Sequence, residues 1–212
     1  MEKHFQVPKT ARYFLNVKPK NQHTIWLVFH GYGQLSEYFI RKFEFLDPEE
    51  NLIVAPEGLH RFYLDGFRGR VGASWMTRES RLHDISDSNS MLDVLLSEVQ
   101  GQFENQPKLK IIAFSQGVAT ASRWVLNSNV KTSEMILWGG VFPPDIDLEA
   151  HGQKLVDLDI KVVVGVDDEF YQNERQQALH EALDQGKIPY EFYVVPGKHD
   201  IDRVAWEALK SV

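Results

Sequence analysis

Seven short apolar runs, separated by longer polar-faced segments, constrain this chain more than any other feature of it. Thr24-Ile25-Trp26-Leu27-Val28-Phe29 is apolar almost throughout. A strand reads that way when both of its faces are covered. Asn51–Ala55 (halted by Pro56), Leu109–Phe114, Glu134–Trp138, Ile160–Val164 and Tyr190–Val195 read the same way, and Tyr13–Val17 reads as a further strand. Helical patterns lie between the runs. Ile85, Leu92, Leu95, Leu96, Val99 and Phe103 recur at three- and four-residue spacings, which gathers them on one helix face. Ala178, Leu179, Ala182 and Leu183 do so before Gly186, a plausible helix stop, and Val204, Ala208 and Leu209 mark a final helix. Strands alternating with helices predict parallel pairing through right-handed crossovers, with helices on both faces of the sheet. Ligands bind such sheets where loops leave the C-terminal strand ends.

A length of 212 residues suits one domain spanning 1–212. The chain has no cysteine, which excludes disulfides, thiolate metal sites and a cysteine nucleophile. A formal net charge of −7 argues against a broad footprint on nucleic acid. No apolar run approaches the roughly 20 residues that span a bilayer. Residues 1–8 lack the apolar core of a signal peptide, so a soluble cytoplasmic protein is expected. Composition leaves the oligomeric state open. No internal repeat or low-complexity linker divides the chain.

The strand ends carry the chemistry. Ala113-Phe114-Ser115-Gln116-Gly117 follows an apolar run and opens a helical segment, the strand–serine–helix context of a nucleophile elbow. Such a turn lifts the serine Oγ above the sheet edge and points the first helical N–H groups at charge developing on a substrate. Small residues must flank the serine because the strand and helix backbones approach closely. Gly117 meets this need, while Ala113 adds one methyl where glycine is usual. Further along, Ile160–Val164 ends in Gly165-Val166-Asp167-Asp168-Glu169, and Tyr190–Val195 ends in Pro196-Gly197-Lys198-His199. Serine, acid and histidine thus occur in α/β-hydrolase order, each just past a strand. The chemistry needs all three: a base to take the serine proton, and a carboxylate to fix the tautomer of that base. Separately, the acids could form a solvated helix cap and His199 a surface turn; together they favour catalysis. The Thr24–Phe29 run ends in His30-Gly31-Tyr32-Gly33, where a backbone N–H can complete an oxyanion hole. By position the two donors are Tyr32 and Gln116, and His30 is expected to order the turn rather than titrate.

His30-Gly31-Tyr32-Gly33, Phe114-Ser115-Gln116-Gly117, Gly165-Val166-Asp167-Asp168 and Gly197-Lys198-His199 together resemble the phospholipase/carboxylesterase family of α/β-hydrolases, which includes acyl-protein thioesterases and small bacterial esterases. Pro56-Glu57-Gly58, Ser74-Trp75 and Gly139-Gly140-Val141-Phe142-Pro143 also look like segments of that family. The resemblance implies an α/β-hydrolase fold without a cap domain and metal-independent hydrolysis of carboxylic esters or thioesters. It places the acid three residues after Gly165, at Asp168, and so implies a triad of Ser115, Asp168 and His199. The stretch Arg61–Arg70 departs from the thioesterase members, which bears on substrate choice.

The aromatics Trp75, Phe142, Phe62 and Phe67 are expected near the site, as walls of an acyl pocket or as loop anchors. Arg68 and Arg70 read as solvated loop charges in preference to anion binders. The eight histidines show no metal-ligand spacing, and no Gly-x-Gly-x-x-Gly follows a strand, so neither a metal nor another cofactor is expected. The reading is a serine hydrolase acting on a small-molecule ester or thioester. Its chemical rivals are a peptidase and a dienelactone-type hydrolase, which usually carries a cysteine. The rival from another class is a catalytically silent binding protein of the same fold.

Overall fold

The computed structural model describes residues 1–170 and 173–211. In chain order the strands are β1 (Tyr13–Leu15), β2 (Thr24–Phe29), β3 (Asn51–Pro56), β4 (His60–Asp65), β5 (Arg68–Ser74), β6 (Lys108–Phe114), β7 (Glu134–Trp138), β8 (Asp159–Gly165) and β9 (Glu191–Val195). The α-helices are α1 (Ser36–Phe39), α2 (Arg81–Gln100), α3 (Gln116–Asn127), α4 (Leu148–His151), α5 (Gln153–Val156), α6 (Asn173–Gln185) and α7 (Arg203–Lys210). Seven strands make one sheet in the order β1-β3-β2-β6-β7-β8-β9. Only β1 pairs antiparallel; the six others run parallel, as crossover helices require.

Side-chain alternation sorts the strands onto two cores. Ile25, Leu27 and Phe29 of β2 join a cluster with Leu92 and Val99 of α2, Val118 and Trp124 of α3, and Leu179 and Leu183 of α6. Trp26 and Val28 point the other way, onto Phe39, Phe43 and the Trp206 and Leu209 face of α7. The indoles of Trp26 and Trp206 meet edge to face, 5.8 Å apart. Both faces are therefore covered, which is why β2 reads as an unbroken apolar run. At the start of β7 the buried Glu134 receives Lys110 at 2.7 Å and Lys161 at 3.0 Å. Burial pushes its carboxyl up, but the two ammonium groups outweigh this and hold it below the usual range.

Three expectations are corrected. The first strand stops at Leu15 rather than Val17. In α7, Val204 is exposed and Ala205, Trp206 and Leu209 form the buried face. The Asp202 side chain caps this helix by accepting the Ala205 N–H, and that start sets the phase. Residues 61–70, read as loop, are instead most of an antiparallel ribbon, β4 paired with β5, with Gly66 at its tip in the left-handed region. The ribbon is moored beside the main sheet by the Gly33 N–H donating to the Ala73 carbonyl at 2.8 Å.

Candidate active site

Ser115 joins β6 to α3 with φ 52° and ψ −116°, a strained conformation for a residue that is not glycine. Its N–H donates to the Trp138 carbonyl at 2.9 Å, and its own carbonyl accepts from the Val118 N–H at 3.1 Å. The turn is thus held from the neighbouring strand and from the helix. Gly117 is required here: a Cβ would lie 2.6 Å from the Phe29 carbonyl oxygen. Ala113, by contrast, is fully buried between its sheet partners Phe29 and Leu137, so its methyl is packed as core.

His199, in the loop after β9, donates from Nδ1 to Oδ2 of Asp168, in the loop after β8, at 2.7 Å. The other carboxylate oxygen of Asp168 accepts the Phe170 N–H at 2.8 Å. The rings of Phe114 and Phe170 each lie 4.7 Å from the imidazole, which fixes its plane. Asp167 is exposed. Gly139 adopts φ 58°, and a Cβ there would approach the His199 ring to 3.1 Å. Ser115, Asp168 and His199 line one cavity of about 520 Å³ together with Tyr32 and Gln116. Its apolar walls include Phe114, Val162, Val164, Phe170 and Leu179.

Two of the residues that line this cavity, Tyr32 and Gln116, carry backbone N–H groups at its turns. The Gly31 N–H is already taken by Oε1 of Gln34 at 2.8 Å. The next N–H, that of Tyr32, and that of Gln116 have no acceptor among the described residues. The Gln116 side chain pins the start of α3 to the end of β5. Its amide nitrogen donates to Ser74 Oγ and the Met76 carbonyl, both at 3.0 Å, and its oxygen accepts the Trp75 N–H at 3.2 Å. His30 is fully buried below this turn. Its Nδ1 donates to the Gly31 carbonyl at 2.7 Å, and its Nε2 accepts the Gly58 N–H at 3.0 Å. Desolvation lowers its pKa to about 4, so it is neutral at pH 7 and orders the loop.

The four aromatics expected at the pocket are not in its walls. Trp75 is a core residue, stacked on His30 at 4.8 Å with its indole N–H donating to the His30 carbonyl at 2.8 Å. Phe142 is buried in the α3-side core, although its neighbour Val141 is exposed. Phe62 sits on the ribbon and backs Tyr32 at 5.1 Å, outside the cavity. Phe67 stands in solvent at the ribbon tip beneath the Arg68 guanidinium. Gln34, Phe170 and Leu179 line the cavity as well, though no sequence motif marks the last two. Gln34 lies within the His-Gly turn itself. Among the described residues, no group of three or more His, Asp or Glu side chains could hold a metal ion. Nor is any helix there long and apolar enough to cross a membrane.

A parallel sheet with a strained serine elbow at its C-terminal edge defines an α/β-hydrolase fold. Within that class the chain belongs to the phospholipase/carboxylesterase family, whose profile matches residues 13–212. Similar solved structures include a carboxylesterase from Mesorhizobium loti (TM-score 0.72, 17% identity, covering 95% of this chain and 93% of that one). Esterase PE8 is similar at TM-score 0.69 and 19% identity, over 90% and 91% of the two chains. A point variant of SOBER1 from Arabidopsis thaliana is similar at 0.63 and 18%, over 89% and 96%. A comparison with curated protein sequences gives no match.

Proposed function

We propose that the chain acts as one serine-hydrolase domain that cleaves small carboxylic esters, and thioesters by the same steps. The observation that carries this reading is the His199–Asp168 hydrogen bond within the cavity onto which Ser115 opens. The bond holds the proton on Nδ1 and leaves Nε2 free as a base. Nε2 takes the Ser115 proton as Oγ attacks the acyl carbonyl. The N–H groups of Tyr32 and Gln116 receive the oxyanion in a cavity with apolar walls, where such donors are worth more than in bulk water. The imidazolium then protonates the departing alcohol or thiol. Water, deprotonated by the same Nε2, releases the acid and regenerates Ser115. The steps need no cofactor. A cavity of about 520 Å³ is of the size that takes small molecules, which supports short to medium acyl chains.

The test is hydrolysis of p-nitrophenyl esters from acetate to dodecanoate, with one acyl thioester alongside. The wild type should turn over the shorter esters, and Ser115→Ala should lower kcat by about 10⁴-fold. Full activity in Ser115→Ala, or no hydrolysis of any member by the folded wild type, contradicts the reading.

A further inference from the structure

A second cavity, of about 550 Å³, adjoins the first. Tyr32 lines both, and the other walls are Met76, Thr77, Arg78 and Arg81. The charges around it do not balance. Arg81 Nη2 donates to Asp145 Oδ1 at 2.9 Å. The buried Arg123, whose Nη1 lies 3.5 Å from the Met76 sulfur, donates to both oxygens of the same carboxylate, at 2.6 and 3.1 Å. Two guanidiniums therefore share one acid. The bond from Arg123, assisted by its charge and that of Arg81, outweighs burial and holds Asp145 below the usual carboxylate range. A second acid nearby, Asp84, is occupied by the Thr77 N–H at 2.9 Å and by His60 at 3.1 Å. Arg78 has no ion-pair partner among the described residues. The Nε of Arg81 is buried with no hydrogen-bond partner. Arg78, Arg81 and Arg123 thus face Asp145 and Asp84, which leaves about one positive charge in excess beside the reacting centre, that of Arg78, in a protein whose net charge is −7. The cations set aside from sequence, Arg68 and Arg70, are exposed on the ribbon and line neither cavity.

We infer that this cavity is a subsite for an anionic group on the substrate, a carboxylate or a phosphate monoester, so that the preferred esters bear a negative charge beyond Tyr32. The inference rests on the esterase reading and names its substrate class. Guanidinium forks suit both anions, and the exposed Arg78 can offer an anion a charge-assisted bond that a neutral isostere cannot accept as strongly.

Two matched substrate pairs test it, followed by pH-stat. Monoethyl adipate against ethyl hexanoate places the charge on the acyl side. 3-Acetoxypropyl phosphate against 3-acetoxypropanol places it on the alcohol side. In at least one pair the anionic member should be favoured about 10-fold or more in kcat/KM. The preference should shrink in 0.5 M NaCl, collapse in Arg78→Gln and survive in part in Arg78→Lys. A ratio of two substrates on one preparation does not depend on its folded fraction, so poor folding of a variant cannot mimic the result. Equal rates within both pairs, or a preference untouched by Arg78→Gln, overturn the inference and leave the esterase reading standing. Absence of hydrolysis of all four substrates, with the p-nitrophenyl panel also inert, overturns both.

Discussion

Replacing Asp168 with asparagine isolates what its carboxylate does. Both of its oxygens now accept: Oδ2 from Nδ1 of His199 at 2.7 Å, and Oδ1 from the Phe170 N–H at 2.8 Å. An asparagine has one oxygen to offer. If that oxygen stays on Phe170, the new NH₂ faces Nδ1, and the imidazole must move its proton to Nε2. The base that faces Ser115 is then lost. If the amide turns over, its NH₂ confronts the Phe170 N–H and a buried donor pair is left unmatched. The first arrangement predicts a fall in kcat of about 10⁴-fold, equivalent to roughly 5 kcal/mol of transition-state stabilisation. Asp167 is exposed, so Asp167→Asn should change kcat by less than about threefold, as surface substitutions do. The assay is initial-rate hydrolysis of p-nitrophenyl acetate, with the far-UV circular dichroism melt of each variant as the folding control. A folded Asp168→Asn enzyme within tenfold of wild type, or a crippled Asp167→Asn, would refute the reasoning.

Three further outcomes follow from named contacts. His30 is held neutral with a pKa of about 4, against 6.5 when unfolded, so the unfolded chain binds the extra proton between those values. Stability is complete above about pH 6.5 and falls as the pH drops toward 4, by about 3 kcal/mol from this residue; urea titrations at pH 7, 5.5 and 4.5 read it, and a flat profile counts against it. Gly117→Ala drives a Cβ to 2.6 Å from the Phe29 carbonyl at the strand–helix contact, and should lower Tm by several degrees and cut activity; unchanged Tm and rate would contradict the close approach. Gly139→Val forces a β-branched residue to φ 58° against the His199 ring, and should depress kcat more than KM; an unchanged kcat would show that the ring position is not set there.

Much of the scaffold is legible in the sequence because parallel strands covered on both faces leave a strong signal. β2 and β7 match their apolar runs to the residue. His199 and the acidic turn Asp167-Asp168-Glu169 are legible for the same reason, since each lies just past such a run, whereas Asp168 is singled out within that turn by the family resemblance alone. The β4–β5 ribbon is not, because both of its faces are largely exposed and its apolar residues do not alternate. Its one local cue is Gly66, the first of the two turn residues between the paired Asp65 and Arg68, a position that favours glycine. The cavity walls are hidden for a different reason. Val162, Val164 and Leu179 are apolar residues of β8 and α6 that read as core, and nothing local marks them as lining a cavity. Trp75 errs in the opposite direction. Its neighbour Ser74 touches Gln116, yet the indole turns inward to satisfy its N–H on the His30 carbonyl. That partner lies 45 residues away, and only the folded chain supplies it.

The central claim is that Ser115 is an activated nucleophile. Incubating the protein with a fluorophosphonate and mapping the adduct by peptide mass spectrometry tests it most directly, because a serine without a base reacts slowly. The account predicts one stoichiometric adduct, on Ser115, lost in Ser115→Ala and strongly slowed in Asp168→Asn. An adduct on another serine, such as Ser74 or Ser122, or no adduct on folded protein, would contradict it.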